Sequence, residues 1–207
     1  YRDIGKLDLA LEDYSQSIRL KPDNPKPYNS RAKLYFAKNE DQKALQDYVK
    51  ALQLDPENAE YLINRGAAYA KLNDWERALA DLNKGLALNP RNLNGYLNRS
   101  LVYQRFGQHN ETLSDLKAYL ELNPSHADIW YERGRMHSIL GQTNEAIESF
   151  SRAISLEQKG LYYLERSKAF FKSAQWEKCR QDVQNAQRLG NPPGEAYRNA
   201  LIEKNLI

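Results

Sequence analysis

A period of 34 residues runs through the chain. Arg31, Arg65, Arg99 and Arg133 stand 34 apart, and so do Pro22, Pro56, Pro90 and Pro124. Tyr1, Tyr35, Tyr69 and Tyr103 keep the same step, with His137 in the fifth place. Self-similarity at a fixed period of about 20 to 50 residues means a stacked array, in which each unit buries its apolar face only against its neighbours. The stretch Ala59 to Asn92 serves as the reference unit, with Ala59 as position 1.

Two positions of the unit are always small. Position 8 carries Ala32, Gly66, Ser100, Gly134 and Ser167; position 20 carries Ala10, Ala44, Ala78, Thr112, Ala146 and Cys179. Large side chains recur beside them: Tyr28, Leu62, Tyr96, Trp130 and Tyr163 at position 4, and Tyr14, Tyr48, Leu82, Leu116, Phe150 and Val183 at position 24. Small residues let two helices approach, and large ones fill the space between them at interior density. This pattern resembles the tetratricopeptide repeat, in bacterial-like repeats of the Asn-Arg-Gly type (Asn64-Arg65-Gly66). The resemblance covers roughly residues 1 to 193 and implies an all-α, right-handed superhelical solenoid of antiparallel helix pairs. Position 7, commonly Leu in that family, is Arg here.

Division by the period gives a partial repeat over 1–24, repeats at 25–58, 59–92, 93–126, 127–159 and 160–193, and a last helix over 194–207. The fifth repeat is one residue short. Tyr1 and Gly5 fall at positions 11 and 15, so the first repeat supplies mainly its second helix, and a longer parent protein is expected. Asn24, Asn58 and Asn92 stand where a side-chain oxygen caps the next helix, and Pro25 suits the first helical position. Gly5, Asn39, Asn73, Gly107 and Gly141 at position 15 suit a left-handed residue ending the first helix. Asp-Pro and Asn-Pro pairs at 55–56, 89–90 and 123–124 stop the second. Gln158 and Asn191 replace that proline, so the last two exits are expected to be less sharp. Ala196, Tyr197, Ala200 and Leu201 form a stripe at helical spacing, as a covering helix or the start of another repeat.

Nothing in the sequence points to catalysis or to a cofactor. His109, His126 and His137 lack the spacing of zinc ligands, and no HExxH, GxSxG or Gly-rich phosphate loop occurs. His137, in a tyrosine slot, is expected to be a satisfied core imidazole. The single cysteine, Cys179, excludes an internal disulfide and should pack as a small hydrophobe. A net charge of +3, without a basic stripe or an aromatic platform, does not suggest nucleic acid. No apolar run approaches the ~18 residues that suggest a membrane-spanning helix, so no membrane insertion of this chain is expected.

Asp13, Asp47, Asp81, Asp115 and Asp182 all hold position 23. A residue recurring once per repeat serves the repeat. Its expected companion is the position-7 arginine: Arg31 with Asp47, Arg65 with Asp81, Arg99 with Asp115. Such pairs are either bidentate forks or solvated charges worth ~0–1 kcal/mol each. Ser149 breaks the series and leaves Arg133 for another role. Tyr61, Tyr119, Tyr131 and Tyr162 lie off the pattern, and Thr112 with Tyr119 marks the fourth repeat for altered hairpin packing.

The resemblance implies a concave groove lined by positions 2, 5, 6, 9, 12 and 13 of the first helices, where partners lie as extended peptides or helices. Carried onto this chain, those positions give Asn64, Asn94, Leu97, Asn98, Leu101 and Arg105, then Tyr131 and Arg135, as partner-binding residues. Ile63, Leu97, Leu101 and Tyr131 are expected to be exposed apolar side chains there. Asn64 and Asn98 match the middle of a chaperone-binding two-carboxylate clamp, but Ile63, Leu97, Asn94 and Asp128 stand where it needs bases. The expected function is non-catalytic binding of a protein or peptide ligand. Self-association as a homo-oligomer, or targeting within a larger protein, is the alternative.

Overall fold

The computed structural model describes residues 2 to 207, which form α-helices and no strand among the described residues. Two compact bodies divide between Phe106 and Gly107. The first contains α1 (Arg2–Leu20), α2 (Pro25–Ala37), α3 (Asp41–Leu54), α4 (Ala59–Lys71), α5 (Trp75–Leu88) and α6 (Leu93–Arg105). The second contains α7 (His109–Leu122), α8 (Ala127–Ile139), α9 (Thr143–Leu156), α10 (Gly160–Lys172), α11 (Trp176–Arg188) and α12 (Glu195–Glu203). In the first body α2 pairs with α3 and α4 with α5; in the second α8 pairs with α9 and α10 with α11.

The helix ends follow from local chemistry. Asn24 Oδ1 accepts the Lys26 amide, Asn58 Oδ1 those of Glu60 and Tyr61, and Asn92 Oδ1 that of Gly95. Each cap satisfies donors that the helix cannot satisfy internally. Asn39, Asn73, Gly107 and Gly141 take φ of 59°, 62°, 68° and 73°, as position 15 requires. Two expectations fail. Gly5 lies inside the continuous helix α1, so no break occurs there. The exit of α9 is as definite as the proline-flanked ones: it ends at Leu156, and the Glu157 amide bonds Ala153 O as the Asp55 amide bonds Ala51 O. The terminal hydrogen bond stops the turn without proline. In the last pair the left-handed place falls to Ala174, at φ 56°, and its Cβ makes that conformation costly.

The small positions are the contact between paired helices. Ala32, Ala44, Ala78, Ala146, Ser167 and Cys179 are each fully buried. A Cβ on Gly66 would lie 2.8 Å from Leu82 Cγ, and one on Gly134 would lie 2.6 Å from the Phe150 ring. Burial pushes the Cys179 thiol above its usual pKa, and its Sγ meets the Tyr197 hydroxyl at 3.3 Å. The position-4 aromatics carry a second duty. Tyr28 donates to Pro22 O, Tyr96 to Pro90 O and the Trp130 indole to Pro124 O, which ties each of these first helices to the preceding turn. The off-pattern tyrosines prove to be packing residues. Tyr61, Tyr119 and Tyr162 are buried, and Tyr119 donates to, or accepts from, His126 Nδ1 at 2.7 Å. His137 is buried but only half satisfied: Nδ1 meets Gln142 Oε1, and Nε2 has no partner.

The arginine–aspartate pairs are bidentate. Arg31 Nε and Nη2 donate to Asp47 Oδ2 and Oδ1 at 2.7 and 2.8 Å, and Arg65 repeats this with Asp81. Arg166 does the same with Asp182, a pairing that the shared positions 7 and 23 imply but the sequence reading did not name. The acids are buried, which removes the solvated-charge alternative for these three pairs. The hydrogen bonds that Arg31 and Arg65 donate to Asp47 and Asp81 raise the pKa of these arginines. A third donor reaches the preceding repeat where a short polar side chain waits: Arg31 Nη1 to Ser15 Oγ, Arg99 Nη1 to Asn83 Oδ1, Arg166 Nη1 to Ser151 Oγ.

Two outcomes follow. Asp182→Asn leaves a guanidinium half-partnered in the interior and should cost about 2 kcal/mol in urea unfolding, little changed by salt. Ala174→Gly should raise stability by up to about 1 kcal/mol by relieving the left-handed strain, read as a higher thermal midpoint.

Candidate protein-binding groove

In the first body α2, α4 and α6 lie side by side, with contacts between α2 and α4 and between α4 and α6. Side chains three or four residues apart on a helix share a face. Positions 6, 9, 12 and 13 therefore emerge together, and they line an open cavity of about 850 Å³. Asn64, Ala67, Ala70 and Lys71 of α4 meet Asn94, Asn98, Leu101, Gln104 and Arg105 of α6 there. Lys33 and Phe36 of α2, Tyr48 of α3 and Trp75 of α5 complete the wall.

Its chemistry is mixed in a particular way. Leu101 is 51% exposed, an apolar side chain held out by its helix. The side chains of Asn94, Asn98 and Gln104 make no hydrogen bond with the described residues, so their amides are free to donate and accept. Asn64 is different: its Nδ2 donates to Asn29 Oδ1, and Asn29 Nδ2 donates to Glu60 Oε1, a ladder from α2 to α4. Three cations line the space and no carboxylate does. Lys71 pairs with Asp41 outside it and sits over the Phe36 ring, Lys33 pairs weakly with Glu60, and Arg105 lies 5.4 Å from the Trp75 ring centroid.

The predicted site residues separate accordingly. Asn64, Asn94, Asn98, Leu101 and Arg105 come together in one cavity. Leu97 is half-buried and does not line it. Ile63 is a correction: it is 2% exposed, packed among Tyr69, Ala78, Leu82 and Val102, because its side chain fills the space left by Gly85 and Gly95. Lys33, Lys71, Phe36 and Trp75 were missed. Lys33 at position 9, Phe36 at position 12 and Lys71 at position 13 occupied named groove positions of the unit and could have been found.

Tyr131 and Arg135 belong to the second body. Tyr131 is half-buried rather than exposed, its ring stacked on Tyr162 at 5.1 Å and near Phe150, and burial lifts its pKa to about 12. Arg135 bonds both oxygens of Glu132. Asp128 accepts from Lys159 at 2.8 Å and from the Tyr162 hydroxyl. The first-helix surface here satisfies itself.

Family profiles described as TPR repeat match residues 1–39 and 32–73, and profiles described as tetratricopeptide repeat match 66–129 and 116–148. The chain belongs to the tetratricopeptide repeat family. No curated protein sequence matches it. Among solved structures it is similar to YrrB, described as a TPR protein with an unusual peptide-binding site, at 21% identity and a TM-score of 0.77, over 86% of this chain and 93% of that one. MamA from Desulfovibrio magneticus is 20% identical, with a TM-score of 0.73 over 80% and 94%. A tetratricopeptide repeat protein from Parabacteroides merdae is 24% identical, with a TM-score of 0.62 over 98% and 78%. The fold is thus the all-α tetratricopeptide solenoid, which implies a protein–protein interaction scaffold; the family is typically non-catalytic. Among the described residues no helix is long and apolar enough to cross a membrane.

The Asp128 cluster makes a pH prediction. The hydrogen bond from Lys159, then that from Tyr162, holds the Asp128 carboxyl below its usual range. A depressed folded pKa stabilises above the ordinary carboxylate value and is lost as pH falls through the folded one. The thermal midpoint should therefore drop between about pH 4 and 2, and Asp128→Asn should flatten that limb.

Proposed function

We propose that this protein is a scaffold whose first body binds an extended, acidic segment of a partner protein in the cavity between α2, α4 and α6. The observation that carries the reading is the combination of free side-chain amides with an apolar floor and a lining of three cations without a carboxylate. An extended peptide exposes its backbone donors and acceptors on both edges, and Asn94, Asn98 and Gln104 can satisfy them without regard to sequence. Leu101, Phe36 and Trp75 offer the apolar contact that sets which side chain of the partner faces inward. Lys33, Lys71 and Arg105 favour a carboxylate on the partner and speed its encounter. A peptide-binding site is described for YrrB, which shares the fold.

Leu97, Tyr131 and Arg135 have no part in this reading, because the first is off the wall and the other two are engaged internally. The chaperone clamp is also not invoked, since the amides here lack its flanking bases. No catalytic role is assigned.

The test is selection of binders from a displayed library of random peptides, followed by titration calorimetry. Acidic peptides are the expected class. Leu101→Glu should weaken them by at least about tenfold, and Asn98→Ala by about three- to tenfold, with circular dichroism unchanged. Affinity should fall as salt is raised. Selected peptides that bind Leu101→Glu as well as the parent would place the site elsewhere.

A further inference from the structure

The second body contains an arginine that has lost both of its partners. Arg31, Arg65 and Arg166 each hold a buried aspartate. At the equivalent place opposite Arg133 stands Ser149, fully buried, whose hydroxyl donates to Glu145 O of its own helix. At the position where Ser15 and Ser151 receive the third donor of their arginines stands Lys117, which lines the same cavity as Arg133. The guanidinium is left with no carboxylate and has a like charge for company.

The paired arginines lie beside the position-11 ring of their own helix: Arg31 by Tyr35, Arg65 by Tyr69, Arg166 by Phe170. Arg166 also lies 5.7 Å from its position-4 ring, Tyr163; Arg133, whose position 11 is His137, has the position-4 ring alone, 5.2 Å from the Trp130 centroid. Trp130 is itself fixed by its indole bond to Pro124 O at 2.9 Å. Arg133 and Trp130 of α8, with Lys117, Leu120 and Glu121 of α7, enclose an open cavity of about 220 Å³. Glu121 reaches Lys117 only at 3.8 Å, with both side chains about two-thirds exposed, so it does not neutralise the pair of cations.

We propose that Arg133, Lys117 and Trp130 form a second binding site, which takes an aspartate or glutamate side chain from a partner segment in place of the carboxylate that Ser149 does not supply. A guanidinium held over an indole keeps its N–H donors available for a bidentate carboxylate, and the cation–π contact limits its motion before binding. Leu120 and the Trp130 face provide apolar contact for the methylenes of the incoming acid and its neighbour. The site lies wholly within the second body and is independent of the groove in the first.

The experiment follows the Trp130 indole N–H by two-dimensional NMR during titration with acetyl-Ala-Leu-Glu-Leu-Ala-amide. Its Glu→Gln counterpart is titrated in parallel, both with that blocked terminus and with a free C-terminal carboxylate. A saturable shift with the glutamate peptide alone is expected. Arg133→Gln should weaken it at least about tenfold. Ser149→Asp, which returns an internal carboxylate to Arg133, should abolish it, whereas Leu101→Glu should leave it unchanged. Circular dichroism verifies each fold. The proposal is overturned by no shift in the parent at about 5 mM peptide, by equal binding to Arg133→Gln, or by response to the terminal carboxylate only.

Discussion

Each helix pair is set at its distance by two side chains of almost no volume. Where Gly66 faces Leu82 and Gly134 faces Phe150, even one methyl group has no room. That approach puts positions 7 and 23 within reach of each other, and only then can a guanidinium close on a carboxylate with two bonds. The fork is a consequence of the packing and also its lock. Dense interiors transmit small changes in volume, so a larger residue at position 8 would move the carboxylate as well as the ring.

The groove is a by-product of the same geometry. Small residues and forks use the sides of the first helices that face their partners, so positions 6, 9, 12 and 13 remain turned away. In the first body those positions carry amides and cations, and no carboxylate lines the cavity that they enclose. In the second, positions 6 and 9 carry Glu132 with Arg135 and Glu165 with Lys168, each an internal ion pair, while Tyr131 and Asp128 beside them engage Tyr162 and Lys159. Two bodies built on one repeat therefore present different chemistry.

Much of this was legible in the sequence because the period multiplies every observation. Asn24, Asn58 and Asn92 announce caps three times, and the forks at Arg31 and Arg65 could be named from spacing alone. Position-specific departures were harder. Ile63 read as exposed from its place in the repeat, yet Gly85 and Gly95 open a hole beside it that its side chain fills; glycines at positions 27 and 3 of neighbouring repeats are a signal only in three dimensions. Gly5 read as a helix end because its counterparts in the series are, whereas α1 runs through it. Tyr131 read as exposed because its stacking partner, Tyr162, lies in another repeat.

The third donor of each arginine has a further consequence for how the array comes apart. Arg31, Arg99 and Arg166 each stitch their repeat to the one before, but position 25, which supplies the acceptor there, is Val49 before Arg65 and Lys117 before Arg133 and offers none. Stitched and unstitched junctions thus alternate along the chain. In an array whose stability is a sum of repeat and junction contributions, opening begins at the weaker junctions. At the junction that Arg65 leaves unstitched, Asn64 bonds Asn29 and Lys71 pairs with Asp41, so of the two it is the Arg133 junction, where two cations line one cavity, at which amide protection would be lost first.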